Sequence, residues 1–284
     1  MNLLLDGYSL LFRAFYALPP MNTRDGAPTS ALYGVSVLLC KLLREHRPTA
    51  VALALDAPGP TTRQVSYAAY KAGRAPTPDP LRAQIARLPE LAAALGAPVH
   101  RVPGWEADDI LATLTRRVKP TIVVTGDTDL LQVVDPDTAV LFVGQRQKDH
   151  VLYDVAAVQA RYGFDPAFVP TYKAMAGDAS DNLPGIPGIG AKTAARLIAA
   201  HGDAAGILAG RGSETPKIRA ILDANAEALV RWESMARVRE DLPLDEPLVG
   251  PIASWDGLRS WFTALEFKSL VPRVDALPAP GTPR

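Results

Sequence analysis

Apolar residues in this chain gather in two kinds of run. The first is short and unbroken: Leu3-Leu4-Leu5, residues 50–55, and Ile122-Val123-Val124 between two threonines. A strand that is apolar at every position, rather than at every second one, suits a sheet covered on both faces, as parallel sheets are. The second kind is spread at helical spacing, as in Leu32, Val35, Leu38, Leu39 and Leu42, or Ile110, Leu111, Leu114 and Val118 behind Gly104 and Trp105. Strands are predicted at 2–6, 50–56, 98–102, 121–126 and 138–143, with helices over 30–46, near 80–95 and from about 105. Their alternation predicts an α/β fold, a largely parallel central sheet flanked by helices over residues 1–154. From 155 to 271 the pattern turns helical, and a Pro-rich tail follows at 272–284. Trp105, Trp232, Trp255 and Trp261 are expected as core anchors.

Each of the three apolar runs closes on an aspartate: Asp6, Asp56 and Asp127. In open α/β sheets the ligand crevice lies at the carboxyl ends of the strands, so these strands would bring three carboxylates to one rim. Glu106, Asp108 and Asp109 open a helix. Acids there also suit the helix dipole and its orphan N–H groups, but three within four residues exceed what capping needs. Asp127 and Asp129 sit in Thr-Gly-Asp-Thr-Asp, where turn chemistry favours Asp as strongly as a site would. Asp178 and Asp181 are three apart and would share one face of a helical turn, though alone the pair reads as a cap or turn. The set is more telling than its parts. Nine carboxylates in one place repel one another unless cations hold them. The four histidines and the single cysteine, Cys40, fall outside these motifs, so ligation would be all-oxygen and the ions hard, Mg²⁺ or Mn²⁺ rather than zinc. Nine acids are too many for one octahedral ion that keeps waters. Two ions roughly 3.5–4 Å apart fit the count and suggest phosphoryl hydrolysis.

Two further segments bear on the substrate. Gly185, Gly188, Gly190 and Lys192 lie in Pro-Gly-Ile-Pro-Gly-Ile-Gly-Ala-Lys ahead of a helix, where backbone N–H groups approach a phosphate and the helix N-terminus favours anions. The spacing does not match the nucleotide-binding G-x-x-x-x-G-K-[ST] loop. It looks like a helix–hairpin–helix turn gripping a DNA backbone, against a plain helix–turn–helix loop. Residues 57–82 form a Pro- and Gly-punctuated stretch too long for a turn, as lids and binding segments are. Within it Tyr67, Tyr70, Lys71 and Arg74 interleave rings for base stacking with cations for phosphate; the plainer reading is a solvated loop. Tyr8 and Arg13, just after Asp6, are placed to reach the same rim, and Tyr8 reads equally as core.

Composition narrows the class without choosing it. The 284 residues are 48% hydrophobic and 21% charged, ordinary for a globular chain and unlike a disordered one. A net charge of zero gives no hint of nucleic acid. Yet residues 61–101 hold Arg63, Lys71, Arg74, Arg82, Arg87 and Arg101 against Asp79 and Glu90, a local balance of +4 opposite the acidic rim. One cysteine excludes an internal disulfide and fits a reducing compartment, with Cys40 expected in the core. With neither a basic leader nor ~18 apolar residues in a row, secretion and membrane spanning are not expected.

Seven blocks stand in order: Leu5-Asp6-Gly7, Tyr70-Lys71-Ala72-Gly73-Arg74, Glu106-Ala107-Asp108-Asp109, Thr125-Gly126-Asp127-Thr128-Asp129, Gly177-Asp178-Ala179-Ser180-Asp181-Asn182, the Gly-rich hairpin, and Leu265-Glu266-Phe267-Lys268-Ser269-Leu270. Together they resemble the structure-specific 5′-nuclease family, and within it the type carried by bacterial DNA polymerase I. The resemblance implies a PIN-like 5′-nuclease fold with a C-terminal helix–hairpin–helix region. It also implies metal-dependent hydrolysis of DNA at 5′ ends and 5′-flap junctions in replication and repair. One metal would be held mainly by Asp6, Asp56, Glu106 and Asp108, the other mainly by Asp127, Asp129, Asp178 and Asp181, with Asp109 in or beside both shells. Lys71 and Arg74 would stabilise the scissile phosphate at the base of an arch, and Tyr70 would stack on the terminal base. The hairpin would hold the downstream duplex, with a K⁺ ion bridging carbonyls and phosphate. A monomer in the bacterial cytoplasm, near the nucleoid and working with a DNA polymerase in cis or in trans, completes the expectation. The chain departs from the family in an arch segment without an extended basic helix.

Three rivals remain. Nine intact acids speak against a DNA-binding module without catalysis. The hairpin and residues 155–271 speak against a PIN-type ribonuclease, and Asp6-Gly7-Tyr8 in place of Asp-x-Asp against a haloacid-dehalogenase-type phosphatase.

Overall fold

The computed structural model describes residues 1–144 and 149–282; the last two residues of the expected Pro-rich tail lie outside them. β1 (Asn2–Asp6) runs without a loop into α1 (Gly7–Ala17), and α2 (Ser30–His46) leads to β2 (Ala50–Ala54). After it come α3 (Thr62–Ser66), an irregular stretch, α4 (Asp79–Ile85) and α5 (Leu88–Leu95). β3 (Val99–His100), α6 (Ala107–Arg117), β4 (Thr121–Thr125), β5 (Thr138–Phe142) and β6 (Val151–Tyr153) complete the alternating part. The helical part holds α7 (Val155–Tyr162), α8 (Val169–Ala176), α9 (Ala191–His201), α10 (Ala204–Gly210), α11 (Pro216–Ala224) and α12 (Ala226–Ala236). β7 (Gly250–Pro251), α13 (Asp256–Ala264) and α14 (Val271–Asp275) then return to the sheet side.

The sheet order is β3-β2-β1-β4-β5-β6, with the first five strands parallel, β6 antiparallel to β5, and β7 antiparallel to the start of β2. The unbroken apolar runs are explained by two covered faces. Leu4, Ala52 and Val123 point into one layer, which α6 shares with the helical part; Leu3, Leu5, Val51, Leu53 and Val124 point into the other, with α1, α2, α5 and α13. Residues 255–277 therefore pack on the face of the sheet opposite the helical part, through Leu258, Phe262 and Leu270.

The expected elements are present, with shorter ends. The strand expected at 98–102 reduces to two residues, and the helix expected near 80–95 divides at Ala86 and Arg87. Pro89 accounts for the division, since it has no N–H to bond the carbonyl of Ile85 and fits the first turn of a new helix. The break leaves α4 free to dock on α2, where the buried Gln84 Oε1 accepts from the N–H groups of Ala31 (2.8 Å) and Leu32 (3.2 Å) and so caps α2 from outside.

β1 carries β2 on one side and β4 on the other, so the connections leave the sheet in opposite directions from β1 and β4. A crevice opens at the carboxyl ends of those two strands. Register sets its depth: Asp6 pairs with Ala54, and Leu5 with Val124, so Asp56 and Asp127 each stand two residues beyond the level of Asp6.

Candidate metal centre

The β1–α1 joint is the floor of the crevice. Asp6 ends the strand and caps the helix, accepting from Ser9 N (3.1 Å), while Thr125 Oγ1 at the end of β4 donates to its other oxygen (2.6 Å). Gly7 lets the joint lie close against Leu55 and Leu53: a Cβ there would stand 2.3 Å from Leu55 Cδ2 and 3.0 Å from Leu53 Cδ1, so those side chains would have to shift. Burial pushes the Asp6 carboxyl up to about 7, with the charges of Asp56 and Asp127 adding to the effect and the Thr125 hydroxyl opposing it. Asp56, just past β2, accepts from Ala107 N (2.7 Å), which ties the strand end to the first turn of α6; burial raises its acid too, and Glu106 adds to this. Asp108 accepts no hydrogen bond among the described residues. Burial, then Asp127 and Asp6, raise it well above the ordinary carboxylate range.

Asp6, Asp56, Glu106, Asp108 and Asp127 line one cavity of about 940 Å³, together with Tyr8, Arg13, Lys71 and Arg74. Five carboxylates line this open cavity; Asp6, Asp56 and Asp108 are pushed toward neutrality chiefly by burial, and of the five only Glu106 has an ion pair among the described residues, with Arg63 and Lys71. That donor set fits hard divalent cations. Among the described residues no three carboxylates already close on one point, so the centre is an open rim and not a finished cage.

The other acids are held differently. Asp109, expected in or beside both metal shells, is wholly buried and turned the other way. Its oxygens accept two bonds of 2.7 Å from the buried Arg63 guanidinium, one from Arg239 N (2.8 Å) and one from Glu106 N (3.1 Å). Its lone pairs are spent inside the protein, and a metal role is corrected to a structural one. Arg63 is likewise corrected: it belongs not to the exposed basic stretch but to the core, 8% exposed, bonding Asp109, Glu106 (3.0 Å) and the carbonyls of Met235 and Arg237.

Asp178 and Asp181 do not share a helical face. They sit in a loop closed by reciprocal backbone bonds between Asp178 and Leu183, and their side chains part. Asp181 meets the arch segment: its oxygens accept from Tyr70 Oη (2.8 Å) and Arg74 Nη2 (3.1 Å), with Lys71 Nζ at 3.8 Å. Burial raises its acid in spite of Lys71. Asp178 turns to Lys173 Nζ (2.6 Å), which also contacts Asp129 Oδ1. Burial works against the Asp178 charge, but the Lys173 ammonium outweighs it and holds that carboxyl at about 2. Nothing in the spacing of motifs announced Lys173. The available signal was a lysine in the apolar helix α8, five residues before Asp178, since a buried ammonium must find an acid.

Lys71 and Arg74 line the cavity. Lys71 has a left-handed backbone (φ 55), uncommon outside glycine, and its N–H donates to Asp181 O (3.1 Å). This turns its side chain inward, where Nζ donates to Glu106 Oε1 (2.7 Å). Desolvation would lower its ammonium, but Glu106 and Asp181 override this and raise it. Tyr70 is corrected. Its ring is 3% exposed and offers no face for a base; its hydroxyl donates to Glu106 (3.0 Å) and Asp181. Tyr8 and Arg13 line the cavity, and Arg13 anchors to the carbonyl of Gly126 (2.5 Å). Ser9 and Thr125 were missed as supports of Asp6, being ordinary strand and helix residues by pattern.

The Gly-rich segment turns between α8 and α9. Ile186 and Ile189 bury their side chains in the helical core, leaving Pro187, Gly188, Gly190 and Lys192 at the surface. Gly185 (φ 71) passes so near Gly177 N that a Cβ would lie 2.5 Å away, and only glycine fits. No helix is long and apolar enough to cross a membrane among the described residues.

Comparisons with known proteins bear on the family and the fold. The model of the 5′-3′ exonuclease N-terminal resolvase-like domain matches residues 1–163, and that of the 5′-3′ exonuclease C-terminal SAM fold matches 164–252. DNA polymerase I of Mycobacterium tuberculosis is 40% identical over 99% of this chain and 32% of its own length. The thermostable DNA polymerase I of Thermus thermophilus is 38% identical over 98% and 33%. The chain thus spans about a third of the length of the curated relatives it matches. Among solved structures, zinc-bound T5 5′-exonuclease superposes with a TM-score of 0.66 at 20% identity, over 83% of this chain and 89% of that one. The catalytic core of Rad2 in complex with DNA substrate gives 0.59 at 18%, over 98% and 92%. Both share the fold of a mixed sheet flanked by helices with a helical C-terminal domain. By sequence and by fold, the chain belongs to the 5′-3′ exonuclease family.

Proposed function

We propose that this chain hydrolyses DNA phosphodiesters at 5′ ends and 5′-flap junctions with two divalent cations, as the nuclease unit of a replication and repair system. The observation that carries the reading is the cavity in which Asp6, Asp56, Glu106, Asp108 and Asp127 face Lys71 and Arg74. Anionic phosphate has no reason to enter a carboxylate rim unless cations are bound there. A bound cation pair would supply Lewis acidity for an attacking water and for the departing oxygen. The protein does the rest. Asp6 is fixed by Ser9 and Thr125, and Asp56 by Ala107, so their outer lone pairs keep a set direction. Lys71 and Arg74 stand at the cavity wall, where their charge opposes the negative charge that grows on the phosphate. The hairpin at 185–190 and Lys192 would hold duplex phosphates, with a K⁺ ion bridging loop carbonyls and phosphate.

Hard-oxygen donors favour Mg²⁺ or Mn²⁺ as the working ions. Residues 1–154 supply seven of the nine acids, and 155–271 supply Asp178, Asp181 and the hairpin. Action as a monomer in a bacterial cytoplasm, beside the nucleoid and with a polymerase in cis or in trans, is part of the same proposal; that the similar curated proteins are DNA polymerase I supports it.

The test is cleavage of a 5′-flap, a nicked duplex and a single strand, labelled at the 5′ end, with Mg²⁺, Mn²⁺ or EDTA. Cleavage near the junction, dependent on the ion and abolished by Asp127→Ala with DNA binding kept, is expected. Turnover retained by Asp127→Ala would sink the assignment.

A further inference from the structure

The two halves of the carboxylate set differ in how their charge is met. Of the five acids of the cavity, Asp6, Asp56, Asp108 and Asp127 are crowded together with no ion pair among the described residues, and Glu106 alone pairs, with Arg63 and Lys71. Asp129 and Asp178, by contrast, have a counter-ion built into the chain. Lys173 projects from α8 with 7% exposure; its Nζ lies 2.6 Å from Asp178 Oδ2 and also contacts Asp129 Oδ1. That Asp129 oxygen is sealed from solvent and has no hydrogen-bond partner apart from this ion contact. A point-like, strongly hydrated ammonium on a flexible four-carbon stem is the side chain best suited to replace a cation and to move away from one.

We infer that Lys173 is a resident stand-in for the second divalent cation, so that loading at Asp129 and Asp178 is an exchange in which the ammonium is displaced. The inference rests on the proposed two-cation nuclease and deepens it. Two consequences follow. The position formed by Asp6, Asp56, Asp108 and Asp127, none of which has a lysine or arginine paired to it among the described residues, fills first and tightly. The Asp129–Asp178 position fills later and more weakly, because the incoming ion must compete with a charge that is always present at high local concentration. A metal-free chain keeps these two acids paired, so the site remains folded while waiting for the ion. This makes Lys173 a positioning residue that sets cation affinity, with no contact to the reacting atoms implied.

The experiment uses the full chain. Mn²⁺ binding is followed by electron paramagnetic resonance for the wild type, Lys173→Met, which keeps the stem and deletes the charge, and Lys173→Arg, which keeps the charge. Wild type is expected to show a tight and a weak class of Mn²⁺, Lys173→Met to tighten only the weak class by about tenfold or more, and Lys173→Arg to leave it weak. If Lys173→Met left both classes unchanged, or weakened the second, the inference would be overturned. A second readout does not depend on the variant folding. In the wild type, the ¹⁵N-detected Nζ signal of Lys173 should be slow to exchange in EDTA and shift or broaden with Mg²⁺. A signal that stays the same at saturating Mg²⁺ overturns the inference equally. Failure of the broader reading looks different: wild type would bind no Mn²⁺ in either class and cut no flap.

Discussion

Asp108 and Asp109 are neighbours in one motif, and the structure gives them opposite work. Replacing each by asparagine, which keeps the shape and removes the charge, separates the two. Asp109 is wholly buried and accepts four hydrogen bonds, two of them from Arg63, which is itself buried. Losing one partner of such a pair leaves a charge with no solvent to turn to, and this costs about 3–5 kcal/mol. At ~2.1 cal/mol/K per residue, unfolding 284 residues carries roughly 0.6 kcal/mol/K of entropy, so Tm should fall by about 5–8 °C. Asp108 has no hydrogen bond to lose among the described residues and is crowded by Asp127 and Asp6. Asp108→Asn should therefore melt at or above the wild-type temperature in EDTA, while losing Mn²⁺ affinity and flap cleavage. The assay is differential scanning calorimetry in EDTA, beside isothermal titration with Mn²⁺ and a flap-cleavage rate. An Asp109→Asn protein that melts like the wild type and fails to bind Mn²⁺ would refute the division, and with it the view that Arg63 has removed Asp109 from the rim.

Other consequences are as direct. Tyr70→Phe keeps the ring and removes a hydroxyl that serves two buried carboxylates, so it should cost about 1.5–3 kcal/mol in a denaturant melt and lower the cleavage rate; a neutral result would favour stacking by the ring. Asp6 has a folded pKa of about 7 against an ordinary 3.8, so between those values the folded state holds a proton that the unfolded chain has released. Metal-free stability should then fall as pH rises through that window, and Mg²⁺ should flatten the slope; a Tm in EDTA that climbs from pH 4 to 7 would contradict the shift. Lys192→Ala removes an exposed cation beside the hairpin. Duplex affinity should weaken and the slope of log K against log salt shrink by about 1, with the cleavage rate at saturating DNA unchanged; an unaltered salt slope would remove Lys192 from the interface.

How much of this was legible depends on which kind of signal carried it. The parallel sheet was readable because covering both faces demands apolar residues at every strand position, and Leu3-Leu4-Leu5 obeys that whatever the neighbours are. The position of Asp6, Asp56 and Asp127 followed from the same fact, as did the hairpin from its glycines. The direction of a side chain was not readable. Asp108 and Asp109 differ by one residue, about 100° around a helix, so one faces the cavity and the other the core. Arg63 looked like part of a basic surface until the fold placed it under α6. Tyr70 looked like a stacking ring because nothing local shows that Glu106 and Asp181, distant in the chain, meet at its hydroxyl.

These errors share one cause, and it leads back to the chemistry. A sequence lists charges, but what an acid does is decided by which cation reaches it. Arg63 takes Asp109 and part of Glu106, Lys71 takes the rest of Glu106, Arg74 takes Asp181, and Lys173 takes Asp129 and Asp178. With Arg13 at the cavity wall, five cationic side chains stand against nine carboxylates, a balance of −4. Asp6, Asp56 and Asp108 are pushed toward their neutral forms first by burial and then by neighbouring carboxylates, and none of the three has an ion pair among the described residues to offset this. With every acid ionised, −4 is the charge that the proposed two divalent ions would cancel and one would not. A phosphate approaching the rim would meet a net repulsion with one ion bound and none with two. On the proposed two-cation reading, the protein's own cations would thus set the number of metal ions at which a phosphate could enter.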